Sequence, residues 1–490
     1  MLNALVAFLV FVWIARQLPE REYANYVAAF ALLEVGLVLS SFGMEWVTSI
    51  FVPQVRLKAT GAALNRFVWQ CAAFQVCALF VGACVLFLLA SRLTATLGLE
   101  GANGAFRVYA LVMLVEGGGR VFRDQLLSCL LLQGAAQISQ MVRNVAMLCF
   151  SFWAFQHEHW RTAEGLAFAE LAASTGSLLL AVVLLYRYLR IGRTDPAADS
   201  DWQVPRWGAL LRAGRNAWLS NIANLTWSGQ MVILLATHLI GAEATAQLGF
   251  ARNLAEQVRK YIPMEFLLGI VRTLLIARFA ADGDRQKLGL RAGLMYKANL
   301  LFLLPLVVLA IVRGGEICGL LSSGRYQTAH WLLVGWLSVL VVWAHHRLTD
   351  LLAHAVGRSG LTSKASILLM VTPLVLFAVA QLQDWVLLFL VLIVAEATYS
   401  GMVVSWLNAR TVVYKPDWAG LAKFGISGGI ASGALAGSGL GGGAAFLVLA
   451  TGLAFVVVWA AVLLLQAWSR QEATLLPEKM RRWAMLWTRT

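Results

Sequence analysis

Glu116-Gly-Gly-Gly-Arg120-Val-Phe-Arg123-Asp124 places four ionisable groups at the centre of an apolar run, with VYALVMLV before it and QLLSCLLL after it. The run is long enough to cross a bilayer, where a charge is costly and marks a candidate functional site. Glu116, Arg120 and Arg123 follow i, i+4, i+7 spacing, so they share one helical face, and Asp124 follows Arg120 by four. Gly117, Gly118 and Gly119 beside them allow close backbone approach. A second ladder, Arg252, Glu256, Arg259 and Lys260, lies in GFARNLAEQVRKYIPMEF, where Pro263 can kink a helix. A third stripe is His346, Asp350 and His354, with Arg347 next to it, and Glu34 stands alone in an apolar stretch.

Ion pairing between helices is the plain reading of all three, and for the third it weighs equally with function. In the first two taken together, bases outnumber acids. A self-contained network should approach neutrality, because unpaired buried charge is costly. The surplus points to an anion that arrives and leaves. Arg suits phosphate because its planar fork donates two hydrogen bonds at once, and a bivalent pyrophosphate matches several such groups. The first ladder alone carries two acids and two bases, so Arg252 and Arg259 carry more of this expectation than Arg120 and Arg123. Glu34, Glu116, Asp124 and Glu256 are the candidates for coupling to a proton or sodium.

The elements that position these groups are transmembrane helices. The chain has 490 residues, 60% hydrophobic and only 13% charged, against about 25% charged in a soluble domain. Mean hydropathy is +0.73. The class expected is an all-α polytopic membrane protein. With about 20 apolar residues per crossing, fourteen spans are expected, near 2–18, 24–45, 67–90, 106–132, 138–156, 163–186, 213–239, 244–276, 292–313, 328–354, 362–382, 385–407, 419–438 and 443–467. The first begins almost at Met1 with no cytoplasmic segment before it, as expected of a start set too far downstream.

The net charge of +14 is a topology signal under the positive-inside rule. With the N-terminus inside, Arg56, Lys58, Arg66, Arg143, the arginines between Arg187 and Arg215, those from Arg278 to Arg291, and Arg410, Lys415 and Lys423 all fall on the cytoplasmic side. Few fall opposite, among them Arg16, Arg92, Arg161 and Arg325. Both termini are expected in the cytoplasm. No recognition motif accompanies the charge, so nucleic acid is not an expected partner.

IARQLPEREYANYVAAFALLEVG at 14–36 aligns with LATHLIGAEATAQLGFARNLAEQV at 235–258, and Gly134 aligns with Gly357 at nearly the same offset. The two halves are read as parallel repeats, two lobes with a central cavity. The expected domains are a six-helix lobe at 1–188, a cytoplasmic linker at 189–212, a second six-helix lobe at 213–408, and two extra helices with a tail at 409–490.

Other patterns have structural readings. The six cysteines show no CxxC and no His partner at metal spacing. His157-Glu158-His159 has too few ligands for a metal. No metal or cofactor is expected. Gly425, Gly429, Gly433, Gly437 and Gly441 recur every fourth residue, a stripe that permits helix packing or, on the sharper reading, a groove for a lipid chain. The nineteen Trp are mostly interfacial, although Trp69, Trp227 or Trp343 could stack on sugars.

ARQLPEREYANYVAAFALLEVGLVLSSFGMEWVTSIFVPQV resembles the opening of bacterial polysaccharide and O-antigen flippases of the multidrug/oligosaccharidyl-lipid/polysaccharide (MOP) superfamily, through Ala15-Arg16-Gln17-Leu18 and Glu22-Tyr23. A second likeness covers 314–359, through Gly324-Arg325-Tyr326, Ala329 and Gly357-Arg358. The resemblance implies a two-lobed bundle of twelve core helices with two more at the C-terminus. It implies export of an undecaprenyl-pyrophosphate-linked oligosaccharide across the bacterial inner membrane by alternating access, with membrane lipid and polysaccharide polymerase machinery as partners. It adds Arg16 to the pyrophosphate-binding set, and it implies that the last two helices form a lipid-tail groove. Two alternatives stand beside it. A multidrug exporter of the same superfamily would usually stop at about twelve spans and prefer an acidic cavity. A membrane glycan polymerase or ligase would need a sizeable external loop for its catalytic groups, and no expected external connection is that long.

Overall fold

A computed structural model describes residues 2–99, 101–191, 206–266, 284–358, 360–409, 413–475 and 488–489. The chain divides into two compact units, Met1–Gly249 and Phe250–Thr490, and both are helical. Eight of the described helical stretches are long and apolar enough to cross a membrane, so the protein is a multi-pass membrane protein. A pair of two-residue strands, Trp468–Ser469 and Thr488–Arg489, joins in parallel near the C-terminus.

The first unit contains α1 (Leu2–Gln17), α2 (Glu20–Ser40), α3 (Met44–Lys58), α4 (Gly61–Thr96), α5 (Asn103–Arg120), α6 (Gln133–Phe155), α7 (Ala163–Ile191), α8 (Trp207–Leu225) and α9 (Gly229–Leu239). α5 packs on α4, α7 and α2, and α6 packs on α7 and α1. Phe67, Phe106, Tyr109, Met113 and Phe122 lie in the shared core. Helix starts follow local capping: Thr60 accepts the Ala63 N–H ahead of α4. Gly43, with φ +69°, opens α3 against α8, where an added Cβ would stand 2.1 Å from the Gly214 carbonyl oxygen.

α10 (Ala242–Arg259) crosses the division between the units. The second unit continues with α11 (Pro263–Phe266), α12 (Arg285–Ser322), α13 (His330–Ala355), α14 (Gly360–Leu368), α15 (Thr372–Gln381), α16 (Trp385–Asn408), α17 (Trp418–Gly437), α18 (Ala444–Leu464) and α19 (Arg470–Ala473). α12 packs on α13, α17 and α18, and α13 packs on α16. Asp284, Asp384 and Asp417 cap α12, α16 and α17 through backbone N–H groups.

Several expected spans have a finer structure. The connection after the second is itself the helix α3, whose Arg56 donates to the Leu130 carbonyl at 2.7 Å. The fourth is α5 followed by a π-helix, Val121–Leu127, and the run ends at left-handed Leu131. Three glycines before Arg120 weaken α-helical propagation there. The seventh is two helices, α8 and α9, parted at 226–228. The eighth stops at Arg259 and restarts at Pro263, which lacks the N–H an uninterrupted helix needs. Its remainder, and 192–205 of the expected linker, lie outside the described residues. The eleventh is α14 and α15 joined by a 3-10 turn, Leu369–Val371.

Candidate functional site

In the first unit the charged groups form one network. Both oxygens of Glu34 on α2 accept from Arg120, at 3.1 and 2.6 Å, and Arg120 Nε donates to Glu116 Oε1 at 3.3 Å. From the π-helix, Arg123 donates to the same Glu116 oxygen, to Asp124 and to the Ser177 hydroxyl of α7. Arg143 of α6 lies 2.8 Å from the other Glu116 oxygen and donates to Glu170 of α7 at 2.7 Å. The Tyr109 hydroxyl donates to the second Glu170 oxygen at 2.9 Å. Glu116, Arg123 and Glu170 are buried, whereas the Asp124 side chain is 57% exposed. Three arginines, Arg120, Arg123 and Arg143, thus meet three shielded carboxylates, Glu34, Glu116 and Glu170. The network approaches neutrality by itself.

Two more members, Arg143 and Glu170, come from other helices, so no local spacing displays them. Arg143 was assigned to a cytoplasmic connection, but it stands inside α6. Glu170 is a single acid in the apolar run of α7, and an intramembrane charge is itself the signal that could have found it. Gly117 brings α5 against its neighbours: an added Cβ would stand 2.7 Å from Leu37 and 2.8 Å from Leu79. Arg16 lies in the last turn of α1, where a cation complements the helix dipole.

The second unit holds a different cluster. Arg259 donates to Glu256 at 3.1 Å, and Arg252 lies 3.8 Å from the same carboxylate. The Arg259 guanidinium sits 5.1 Å from the centre of the Trp343 ring, and Arg347 sits 5.6 Å from the same ring. Arg347 is also 3.5 Å from Glu265. Arg252 and Arg259 thus share the Glu256 carboxylate, and Arg347 has Glu265 beside it. The Arg259 and Arg347 side chains are 37% and 39% exposed, open enough to take a ligand. α10, α11 and α13 supply these groups, so the cluster joins the second ladder to the third stripe. The stripe itself splits: His354 turns to its own helix, at the Asp350 carbonyl, while His346 faces Glu396 of α16.

Lys297 of α12 is a further buried charge that the sequence reading passed over. Its ammonium donates to Asp417 at 2.7 Å, to Glu472 at 2.6 Å and to the Ala467 carbonyl at 3.0 Å. A cavity of about 470 Å³ lies beside it, with Tyr296, Tyr414 and Lys415 in its lining. Burial raises the Tyr414 phenol above its ordinary range. Among the described residues no group of three or more side chains is arranged to hold a metal ion.

The glycine stripe of α17 faces outward. Among the described residues nothing lies within 4 Å of a Cβ built on Gly425, Gly429, Gly433 or Gly437, whereas Gly441, beyond the helix, meets Phe446 at 3.4 Å and Gly428 meets Leu304 at 3.0 Å. Contact with the bundle therefore runs through Gly428 and not through the stripe, and the stripe's packing reading is corrected for this unit. Gly429→Ala and Gly433→Ala are expected to leave the stability of the purified protein unchanged or to raise it by up to about 1 kcal/mol, since alanine is the better helix former. Gly428→Ala should lower stability by about 1–3 kcal/mol through overpacking. Equal effects at all three positions would contradict this orientation.

A model of the polysaccharide biosynthesis protein family matches residues 1–274. The chain belongs to that family. No curated protein matches it. Among solved structures, the lipid II flippase MurJ in an inward closed conformation superposes with a TM-score of 0.67 at 9% identity, over 94% of this chain and 96% of that one. An inward-facing multidrug resistance MATE family transporter of the MOP superfamily gives 0.62 at 14% identity, over 83% of this chain and 94% of that one. A MATE in the straight conformation gives 0.53 at 14% identity, over 84% and 93%. This family member therefore has the fold of MOP superfamily transporters, as its opening motifs led one to expect.

Proposed function

We propose that this protein is a flippase that moves an undecaprenyl-pyrophosphate-linked oligosaccharide across the bacterial inner membrane for surface polysaccharide synthesis. The observation that carries the reading is the pair of partly exposed guanidiniums, Arg259 and Arg347, over one Trp343 ring. α13, which carries Arg347, is apolar and long enough to span the membrane, and an exposed guanidinium on such a helix suits an anionic ligand. The diphosphate supplies it, held by Arg252, Arg259 and Arg347, while the prenyl chain stays in lipid. The family match supports the polysaccharide context. The larger share of the chain matched by the flippase fold, 94% against 83% for the multidrug transporter, agrees with two helices beyond a twelve-helix core.

On this reading fourteen spans place both termini in the cytoplasm, and the cycle is alternating access without enzymatic chemistry. Arg120 and Arg123 serve the fold, because carboxylates of their own unit already hold them. The outward stripe of α17 is the place for the prenyl tail.

The test is a deletion strain. Lipid-linked repeat units should accumulate and be cleared on complementation. Normal surface glycan with no accumulated intermediate would overturn the proposal, and a drug-sensitivity phenotype in its place would favour the multidrug reading.

A further inference from the structure

One buried titratable cluster has no part in the proposal above. His346 on α13 and Glu396 on α16 are 5% and 8% exposed. The imidazole Nδ1 lies 2.5 Å from Glu396 Oε2, and Nε2 lies 3.4 Å from Asp350 Oδ2. The imidazolium has an N–H for each of these carboxylate oxygens, whereas the neutral ring has one. Tyr399 of α16 donates to the other Asp350 oxygen at 2.6 Å, and its ring stacks on the imidazole at 3.7 Å between centroids. The same phenol oxygen lies 3.5 Å from the Thr362 carbonyl of α14.

The other titratable groups nearby are turned elsewhere. His345 packs against Tyr296 of α12 and meets the Tyr414 hydroxyl at 3.3 Å. Arg347 exerts a through-space charge on Asp350, but its guanidinium is placed at Glu265 and Trp343. Trp336 packs edge-on against Phe389 elsewhere along the α13–α16 contact, so the imidazole proton decides only its polar part. Releasing that proton to water leaves a neutral ring, with one N–H for two carboxylates, and the cluster's charge falls by one unit. Such a buried, half-satisfied network is costly.

The position of this cluster gives it a use. His346 and Arg347 are adjacent on α13, and Trp343 is one turn away. A change in how α13 meets α16 is therefore delivered to the helix that carries Arg347 and the Trp343 ring shared with Arg259. We propose that His346, Glu396 and Asp350, with Tyr399, form a proton-binding site whose occupancy sets the affinity of the Arg252–Arg259–Arg347 cluster for a diphosphate. The proton adds positive charge next to the anion site and locks α13 to α16, so the protonated form is the tighter binder. The inference rests on the anion-binding role proposed for those arginines.

Linkage makes the effect reciprocal: the factor by which the proton tightens diphosphate binding is the factor by which diphosphate shifts the proton equilibrium. The full chain in lipid nanodiscs would be titrated with undecaprenyl pyrophosphate between about pH 5 and pH 11, from below the ordinary histidine range to well above it. Wild type should bind about tenfold tighter at the acid end than His346→Gln predicts from the lipid's own ionisation, a factor typical of coupled sites. Nitrogen-15 histidine spectra of the unsubstituted protein supply a readout that needs no variant to fold: the His346 signals should titrate, and the lipid should move their midpoint by the same factor. A pH profile identical in wild type and His346→Gln would overturn the proposal, as would His346 signals that the lipid leaves unmoved. A chain that shows this linkage yet moves no lipid-linked glycan in proteoliposomes would sink the transport reading and leave the proton site standing.

Discussion

Replacing Arg259 and Arg347 together by alanine is expected to weaken binding of undecaprenyl pyrophosphate at least a hundredfold and to stop surface polysaccharide export. Each guanidinium is placed to give charge-assisted hydrogen bonds worth about 1.5–3 kcal/mol, and a hundredfold corresponds to about 2.8 kcal/mol. The two side chains and the Glu256 and Glu265 carboxylates they leave behind are all partly exposed, so water reaches what remains and the protein should still fold. Lysine at both positions should recover little, since an ammonium cannot make the two-pronged contact or lie flat on the Trp343 ring as a guanidinium does. The lipid-linked intermediate, quantified by mass spectrometry in cells carrying the double variant, should accumulate as in the deletion strain. Wild-type export by a well-folded double variant would remove the diphosphate site from this cluster.

How much of this was readable beforehand depends on what each residue's neighbours are. The class and the i, i+4 ladders depend on local spacing, so the sequence displays them: Glu116, Arg120 and Arg123 do share a face, and Arg259 does reach Glu256. The family was legible in the turn Ala15-Arg16-Gln17-Leu18 for the same reason. Charge balance is not local. Whether Arg120 is available to a ligand turns on Glu34, 86 residues away, and Glu116 is shared with Arg143 of another helix. Glu396 looked like a single acid in the apolar run of α16 until α13 set His346 against it. The breaks at 226–228 and at Pro263 were also obscured, because an apolar window averages over a turn of three residues.

Glu116→Ala provides the sharpest test of whether the first unit's network holds the fold or binds a ligand. Glu116 is 2% exposed, and its two oxygens serve Arg120, Arg123 and Arg143. Removing it leaves Arg123 with only the exposed Asp124 as an ionic partner among the described contacts, and a buried charge stripped of its partner costs about 3–5 kcal/mol. That is a large part of a typical folding free energy of about 5–15 kcal/mol. The expected outcome, read by fluorescence-detected size-exclusion chromatography, is a sharp loss of monodisperse protein. Glu116→Gln keeps the shape and an acceptor oxygen, so it should lose less. Arg120→Ala should be milder still, because Arg120 is 32% exposed and water can replace it beside Glu34. If Glu116→Ala instead folds as wild type but binds no undecaprenyl pyrophosphate, the network is a ligand site after all, and the near-neutral count of its charges is no guide to its use.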